Sequence, residues 1–67
     1  MFFYDDQILK VGKYIKLITV TEKEIKIEIY NNRQLIILGN DLKISFFDKS
    51  EVNIIGKIQR IEIYENV

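Results

Sequence analysis

Hydrophobic and polar residues alternate along much of this 67-residue chain. The clearest case is Ile25, Ile27 and Ile29, which alternate with Lys26 and Glu28. A period of two places the isoleucines on one face of a strand and the charges on the other. A helix turns by about 200° for every two residues and would scatter the isoleucines around its circumference. The pattern therefore predicts an amphipathic strand.

Two apolar runs, residues 35–38 and 52–55, each end at a lone glycine, Gly39 or Gly56, and a second strand-like run follows each glycine. This arrangement predicts two successive β-hairpins built on one plan, with both glycines at turns. A further turn is predicted at Asn31–Asn32, which follows the alternating strand, because asparagine tolerates a positive φ.

Two segments depart from strict alternation. Residues 14–21 either carry apolar side chains on both faces of a strand or contain a bulge, and the pattern does not separate these alternatives. Near the end of the chain, Ile58 has the opposite parity to Ile61 and Ile63. A bend or bulge within residues 56–60 would return all three isoleucines to the core.

The pattern as a whole predicts one all-β domain over residues 1–67, a small antiparallel β-roll or sandwich of about seven short strands. The composition agrees, because the chain has 14 isoleucines and neither alanine nor proline, and β-branched residues favour strands. A short β-solenoid is the alternative, since the glycine-ended unit occurs twice.

Aromatic residues mark two candidate contact regions. Phe2, Phe3 and Tyr4 begin the chain, and their rings either fold over one end of the core or contact a partner or a membrane. Phe46 and Phe47 are adjacent on a predicted strand and should point to opposite faces, so at least one ring is expected to be exposed. Burial of Phe47 within a monomer is the other outcome. We take Phe2, Phe3, Tyr4 and Phe47 as candidate partner contacts.

The residues that most chemistry requires are scarce. The chain has no cysteine and no histidine, which removes thiolate ligands and the commonest metal ligand and general base. Asp5–Asp6 is predicted to be a solvated turn rather than a metal site, and the glycines are too isolated to cradle a phosphate. We therefore predict a non-enzymatic protein with no cofactor, no metal site and no small-molecule substrate.

The charges are balanced, with ten basic and ten acidic residues. Nucleic-acid binders usually show a basic excess, so we predict no nucleic-acid partner, although a small nucleic-acid-binding β-barrel remains the alternative function. No apolar run approaches the roughly 20 residues that span a bilayer, and the N-terminus lacks the pattern of a signal peptide. A cytoplasmic protein, with peripheral membrane contact as a further option, is expected.

Two blocks of the sequence resemble the YabP/YqfC family of small sporulation proteins, whose pattern is L-x-I-x-G-x-x-L-x-I followed by I-x-I-x-G-x-I-x-x-I. The resemblance covers about residues 24–64, and Asn31–Asn32 stand where members often carry glycine. The first block is filled by Leu35, Ile37, Gly39, Leu42 and Ile44, and the second by Val52, Ile54, Gly56, Ile58 and Ile61.

The resemblance implies a structural or adaptor protein that acts in formation of the spore envelope or cortex. It also implies a protein partner, a membrane-anchored sporulation protein, and it supplies no catalytic residues. A sheet without proline has edges that are ready to pair with another chain. We therefore expect assembly through sheet edges, which includes formation of a homo-oligomer.

Overall fold

The structure of the protein is a computed structural model that describes residues 2–5 and 7–65. In this part of the chain the residues form six strands and no helix, so no helix there could cross a bilayer. The prediction of seven short strands is not confirmed, because the last two strands are long. The strands are β1 (Phe2–Asp5), β2 (Ile8–Gly12), β3 (Tyr14–Val20), β4 (Glu24–Ile29), β5 (Arg33–Phe47) and β6 (Glu51–Glu65).

The strands form one sheet in the order β1-β2-β6-β5-β4-β3, and every neighbouring pair is antiparallel. The sheet curls into a half-barrel. The prediction of an all-β antiparallel fold is confirmed. The β-solenoid alternative is wrong, because the glycine-ended units are not stacked coils but the two arms of a single hairpin.

That hairpin, β5–β6, joins two halves of the sheet, because each of its strands has different neighbours along its length. The first part of β5, residues 33–38, lies between β4 and the last part of β6. The second part of β5, residues 43–47, pairs with residues 52–55 of β6, and residues 51–54 pair on their other side with β2. The two long strands therefore carry the sheet around the core.

The two glycines lie within these strands, so the prediction that Gly39 and Gly56 form turns is wrong. The pairing register shifts between Leu38 and Gly39. A Cβ at Gly39 would overlap the carbonyl oxygen of Lys57, and one at Gly56 would lie 2.5 Å from that of Asp41. Gly56 also has a φ of 129°, which L-residues rarely adopt. The glycines let the two backbones approach closely where the hairpin bends.

The core lies on the inner face of the half-barrel and draws on both halves of the sheet. Ile25, Ile27 and Ile29 are almost fully buried, as their alternation predicts. Ile58 and Ile61 pack against the core, which agrees with the predicted irregularity near the end of the chain, whereas Ile63 remains exposed. The buried residues are Leu9, Val11, Ile25, Ile27, Ile29, Leu35, Ile37, Leu42, Val52 and Ile54.

Of the two alternatives predicted for residues 14–21, the structure shows the bulged strand, β3. Its pairing with β4 shifts between Tyr14 and Lys16 and again between Leu17 and Thr19. Tyr14 and Leu17 consequently pack against the core. Asn31 and Asn32 connect β4 to β5 with φ values of 68° and 58°.

Candidate protein-interaction seam

Among the described residues, several strand segments have one edge without a neighbouring strand, including β1 and residues 57–65 of β6. Two others face each other across the open side of the half-barrel. The first is β3, the last strand of the sheet, and the second is residues 43–47, where β5 extends beyond β4. In the described part of the chain, β3 pairs only with β4, and residues 43–47 pair only with β6. We call the opening between these two edges the seam.

Hydrogen bonds at both ends hold the two sides of the seam in place. At one end, the Tyr14 hydroxyl donates to the Asp48 carbonyl oxygen at 2.5 Å. At the other end, the Leu42 amide donates to the Glu22 carbonyl oxygen at 2.8 Å. The start of β3 is therefore fixed near the end of β5, and the turn after β3 is fixed near Leu42. The two edges consequently run antiparallel along the seam.

The turn between β5 and β6 closes one end of the seam and is held by the Asp48 carboxylate together with backbone hydrogen bonds. The Asp48 amide donates to the Glu51 carbonyl oxygen, and the Lys13 amide donates to the Ser50 carbonyl oxygen. Asp48 Oδ1 accepts hydrogen bonds from the amides of Ser50 and Glu51, at 2.8 and 2.9 Å, and from the Ser50 hydroxyl. The bond from the Ser50 amide is the main reason that the pKa of Asp48 is lowered from its usual value of 3.8. The ionised carboxylate therefore orders the turn that accepts the Tyr14 hydroxyl.

Apolar side chains are concentrated along the seam. Nine large hydrophobic side chains are exposed among the described residues, and five of them lie on the two seam edges. Phe47 is the most exposed of these, with 62% of its surface accessible. Exposed apolar groups that are clustered in this way are typical of protein contact surfaces. The five are Ile15, Ile18, Val20, Phe46 and Phe47.

The candidate partner contacts from the sequence fall in two places. Phe47 lies on the seam and is exposed, so burial within the monomer is wrong. Tyr4 is exposed on β1, at the opposite edge of the sheet from β3, so the prediction that its ring folds over the core is wrong. Phe2 and Phe3 belong to the same strand, and their side chains lie outside the described residues. The turn predicted at Asp5–Asp6 is not seen at Asp5, which ends β1, and Asp6 is not described.

Three seam residues, Ile15, Ile18 and Val20, were not among the candidates from the sequence. Their segment was recognised as irregular, but the bulges that decide which side chains face the core depend on pairing with β4. The signal in the sequence is the number of apolar residues in this segment, because a strand with one face in the core and one in water usually alternates apolar and polar residues.

The outer face around the last part of β6 is, by contrast, covered with polar contacts. Arg60 forms an ion pair with Glu62, and the Tyr64 hydroxyl donates to Glu62 Oε1 at 3.1 Å. This hydrogen bond is the main reason that the pKa of Tyr64 is raised from 10.0. Tyr64 is thus an exposed aromatic residue with a partner of its own, unlike the rings on the seam.

A second concave feature is a surface pocket of about 200 Å³ at one end of the core. Its wall combines the connection between β2 and β3 with the turn between β4 and β5. Two of the lining residues are cationic and none is acidic. Within the described residues, no cluster of acidic side chains could hold a metal ion. The pocket is lined by Gly12, Lys13, Ile29, Tyr30, Asn31 and Arg33.

No protein-family model matches this chain, and no curated protein matches it. The resemblance to the YabP/YqfC family, which depends on the two glycine blocks, stays a prediction.

Proposed function

We propose that this chain is a non-enzymatic adaptor that binds a protein partner by accepting an extended segment of that partner along the seam. The proposal is carried by one observation: two unpaired strand edges face each other, and together they bear five exposed apolar side chains. An extended chain can form backbone hydrogen bonds with a free edge, while alternate side chains contact apolar neighbours. The resemblance to YabP/YqfC proteins supports a partner that is a membrane-anchored sporulation protein.

The backbone at the seam favours a partner that binds as an extended strand. Unpaired N–H and C=O groups along a strand edge are a template for another strand. Native proteins commonly protect such edges with lysine, proline or a covering loop. The exposed residues of β3 include one lysine, Lys16, but its Nζ lies 3.9 Å from Glu28 Oε1 on β4. The apolar residues Ile15, Ile18 and Val20 remain accessible on this edge.

Site-specific photocrosslinking tests the proposal. A benzophenone side chain replaces Phe47 on the seam, and, in the matched control, Tyr64 on the outer face. The two positions are similarly exposed aromatic residues on neighbouring strands. After illumination in cells of the source organism, we expect one discrete protein adduct from position 47 and none from position 64.

Equal labelling from both positions, or no adduct from position 47, would contradict the proposal. An adduct that contains RNA would favour the nucleic-acid alternative, which also requires binding that weakens steeply with salt.

Light scattering over a dilution series of the purified chain shows whether the partner is a second copy of this chain or a different protein. A second copy of this chain is the occupant if the mass doubles with concentration and Val20→Lys prevents the change.

A further inference from the structure

We propose that the pocket at the end of the core is a binding site for a small organic carboxylate, held by Arg33. None of the pocket's lining residues is one of the five exposed seam side chains, so the site does not depend on the adaptor function. The first observation is the buried Nε–H of Arg33, which has no acceptor among the described residues. A buried donor without an acceptor is unfavourable, more so when it is charged. A ligand oxyanion would remove that cost.

The position of Arg33 explains how a cation comes to border an apolar core. In the pairing of the sheet, Arg33 lies opposite Ile29 on β4 and opposite Glu65 on β6. Residues that pair directly share a face of the sheet, so Arg33 occupies the next position on the face that buries Ile29. The aliphatic part of its side chain can extend the core while the guanidinium reaches the pocket.

The charges around the pocket favour an anion. Lys13 and Arg33 both line it, and neither takes part in an ion pair within the described residues. The guanidinium fork matches a carboxylate through two parallel hydrogen bonds. Lys13 would add a second positive charge from the connection that follows β2.

The size and the other walls of the pocket limit the rest of the ligand. A volume of 200 Å³ is below the roughly 300–1,000 Å³ of pockets that hold drug-sized ligands. Ile29 and Tyr30 supply an apolar wall beside the two cations. The pocket therefore fits a carboxylate joined to one small apolar or aromatic group, whether as a free acid or as a peptide's terminal residue.

The chain contains one competitor for Arg33. Glu65 lies directly opposite on β6 and is exposed, and the two residues form no ion pair in this structure. If its carboxylate turned onto Arg33 in solution, the site would be occupied internally. The experiment must therefore distinguish an added carboxylate from Glu65.

A titration followed by ¹H–¹⁵N NMR provides this distinction, because the Nε–H of arginine gives its own signal. The probes are sodium benzoate, benzyl alcohol as the neutral analogue, inorganic phosphate, and a short peptide ending in phenylalanine. We expect benzoate and the peptide to shift the Arg33 Nε–H and the amides of Gly12, Lys13 and Asn31 in a saturable manner. Benzyl alcohol should produce no saturable shift, and phosphate should bind more weakly than benzoate.

Variants assign the binding to Arg33. Arg33→Gln should weaken benzoate binding by about tenfold or more, and Arg33→Lys should restore part of it. Arg60→Gln is the matched control and should leave binding unchanged, because Arg60 contacts Glu62 outside the pocket. Lys13→Gln provides a second variant, on the connection between β2 and β3, in case Arg33→Gln does not fold, and it should also weaken binding.

Two results would overturn the proposal. The first is the absence of saturable benzoate shifts at the pocket, or equal affinity in the wild type and in Lys13→Gln and Arg33→Gln. The second is a large shift of the Arg33 Nε–H on Glu65→Gln with no response to benzoate in either protein, which would show that Glu65 is the partner of Arg33. Tighter benzoate binding by Glu65→Gln would support the proposal, since the competitor is removed.

Discussion

β3 and β4 are neighbours in the chain and in the sheet, and both are rich in β-branched residues, yet their β-branched aliphatic side chains differ sharply in burial. The isoleucines of β4 are at most 4% exposed, whereas Ile15, Ile18 and Val20 of β3 are between 42% and 48% exposed. β4 has a strand on each side, while β3 has one neighbour and two bulges. Residue type alone therefore does not decide burial; the number of neighbouring strands and the register do.

The two parts of β5 repeat this contrast within one strand. Leu35 and Ile37 lie between β4 and β6 and are fully buried, whereas Phe46 and Phe47 lie beyond the end of β4 and are exposed. The bend at Gly39 separates the two environments. In both comparisons the exposed side chains lie on the seam, where the sheet has apolar residues but lacks a strand.

The largest effect is expected from removal of the bend by Gly56→Ala. The new Cβ would meet the Asp41 backbone, and alanine would have to adopt a φ of 129°. We expect a loss of about 3 kcal/mol or more in the free energy of unfolding. That loss is a large part of the total free energy of unfolding, which is roughly 3–10 kcal/mol for a chain of this length. Urea unfolding followed by circular dichroism measures it.

The control for this variant is Lys57→Ala, which changes the adjacent, exposed residue of the same strand and should cost about 0.5 kcal/mol or less. Wild-type stability in Gly56→Ala would show that the two backbones are not in close contact at the bend.

The second prediction tests the contrast between the strands with the same substitution on each. Ile27→Ala removes a fully buried side chain and should cost about 2–5 kcal/mol, because it leaves a cavity. Ile18→Ala removes a side chain that is 42% exposed and should cost about 1 kcal/mol or less. Since both variants lose the same β-branched residue, the difference in urea midpoint reports burial. Equal midpoints would mean that β3 packs as tightly as β4.

The alternation of Ile25, Ile27 and Ile29 is sufficient to predict β4 and its buried face. The sequence marks the two glycines as special, but its pattern predicts turns there, because a lone glycine between apolar runs fits a turn and a bent strand equally well. What distinguishes a bent strand from a turn is the close contact of Gly56 with the Asp41 backbone, and this contact exists only after β5 and β6 pair. Local pattern does not contain such long-range contacts.

The candidate sites were predictable to a smaller extent. Phe47 could be chosen because two adjacent aromatic residues cannot both face a core. The rest of the seam depends on bulges in β3, and the pocket joins the connection after β2 to Arg33, which is distant in sequence. A charged residue at the start of an apolar run is an ordinary feature of a strand. Only the pairing of Arg33 with Ile29 shows that it borders the core.

The third prediction concerns the turn that sets the register of β4 against β5, on which the burial of β4 depends. Asn31 has a φ of 68°, in the left-handed region where most L-residues are unfavourable. Asn31→Ala should therefore cost about 1 kcal/mol, while Asn31→Gly should retain stability within a few tenths of a kcal/mol. Thermal unfolding of both variants measures this. Greater stability of the alanine variant would contradict the left-handed turn.

The smallest effect, at the end of the seam, depends on pH. Because the pKa of Asp48 is lowered in the folded state, its stabilisation is present above the unfolded value of 3.8 and is lost as the pH falls through the lower, folded value. Asp48→Asn should therefore be less stable than the wild type at neutral pH, and the difference should vanish in acid. Urea unfolding at a series of pH values measures it.

This variant leaves the backbone carbonyl that accepts the Tyr14 hydroxyl in place, so it isolates the carboxylate from the contact that holds β3. A difference that persists unchanged in acid would mean that the Asp48 carboxylate does not order the turn through its charge. If the difference vanishes and the chemical shifts of β3 in Asp48→Asn stay close to those of the wild type, the turn and the strand edge are held independently. The free edge of β3 would then be a property of the sheet itself, since it would persist when the turn beside it is loosened.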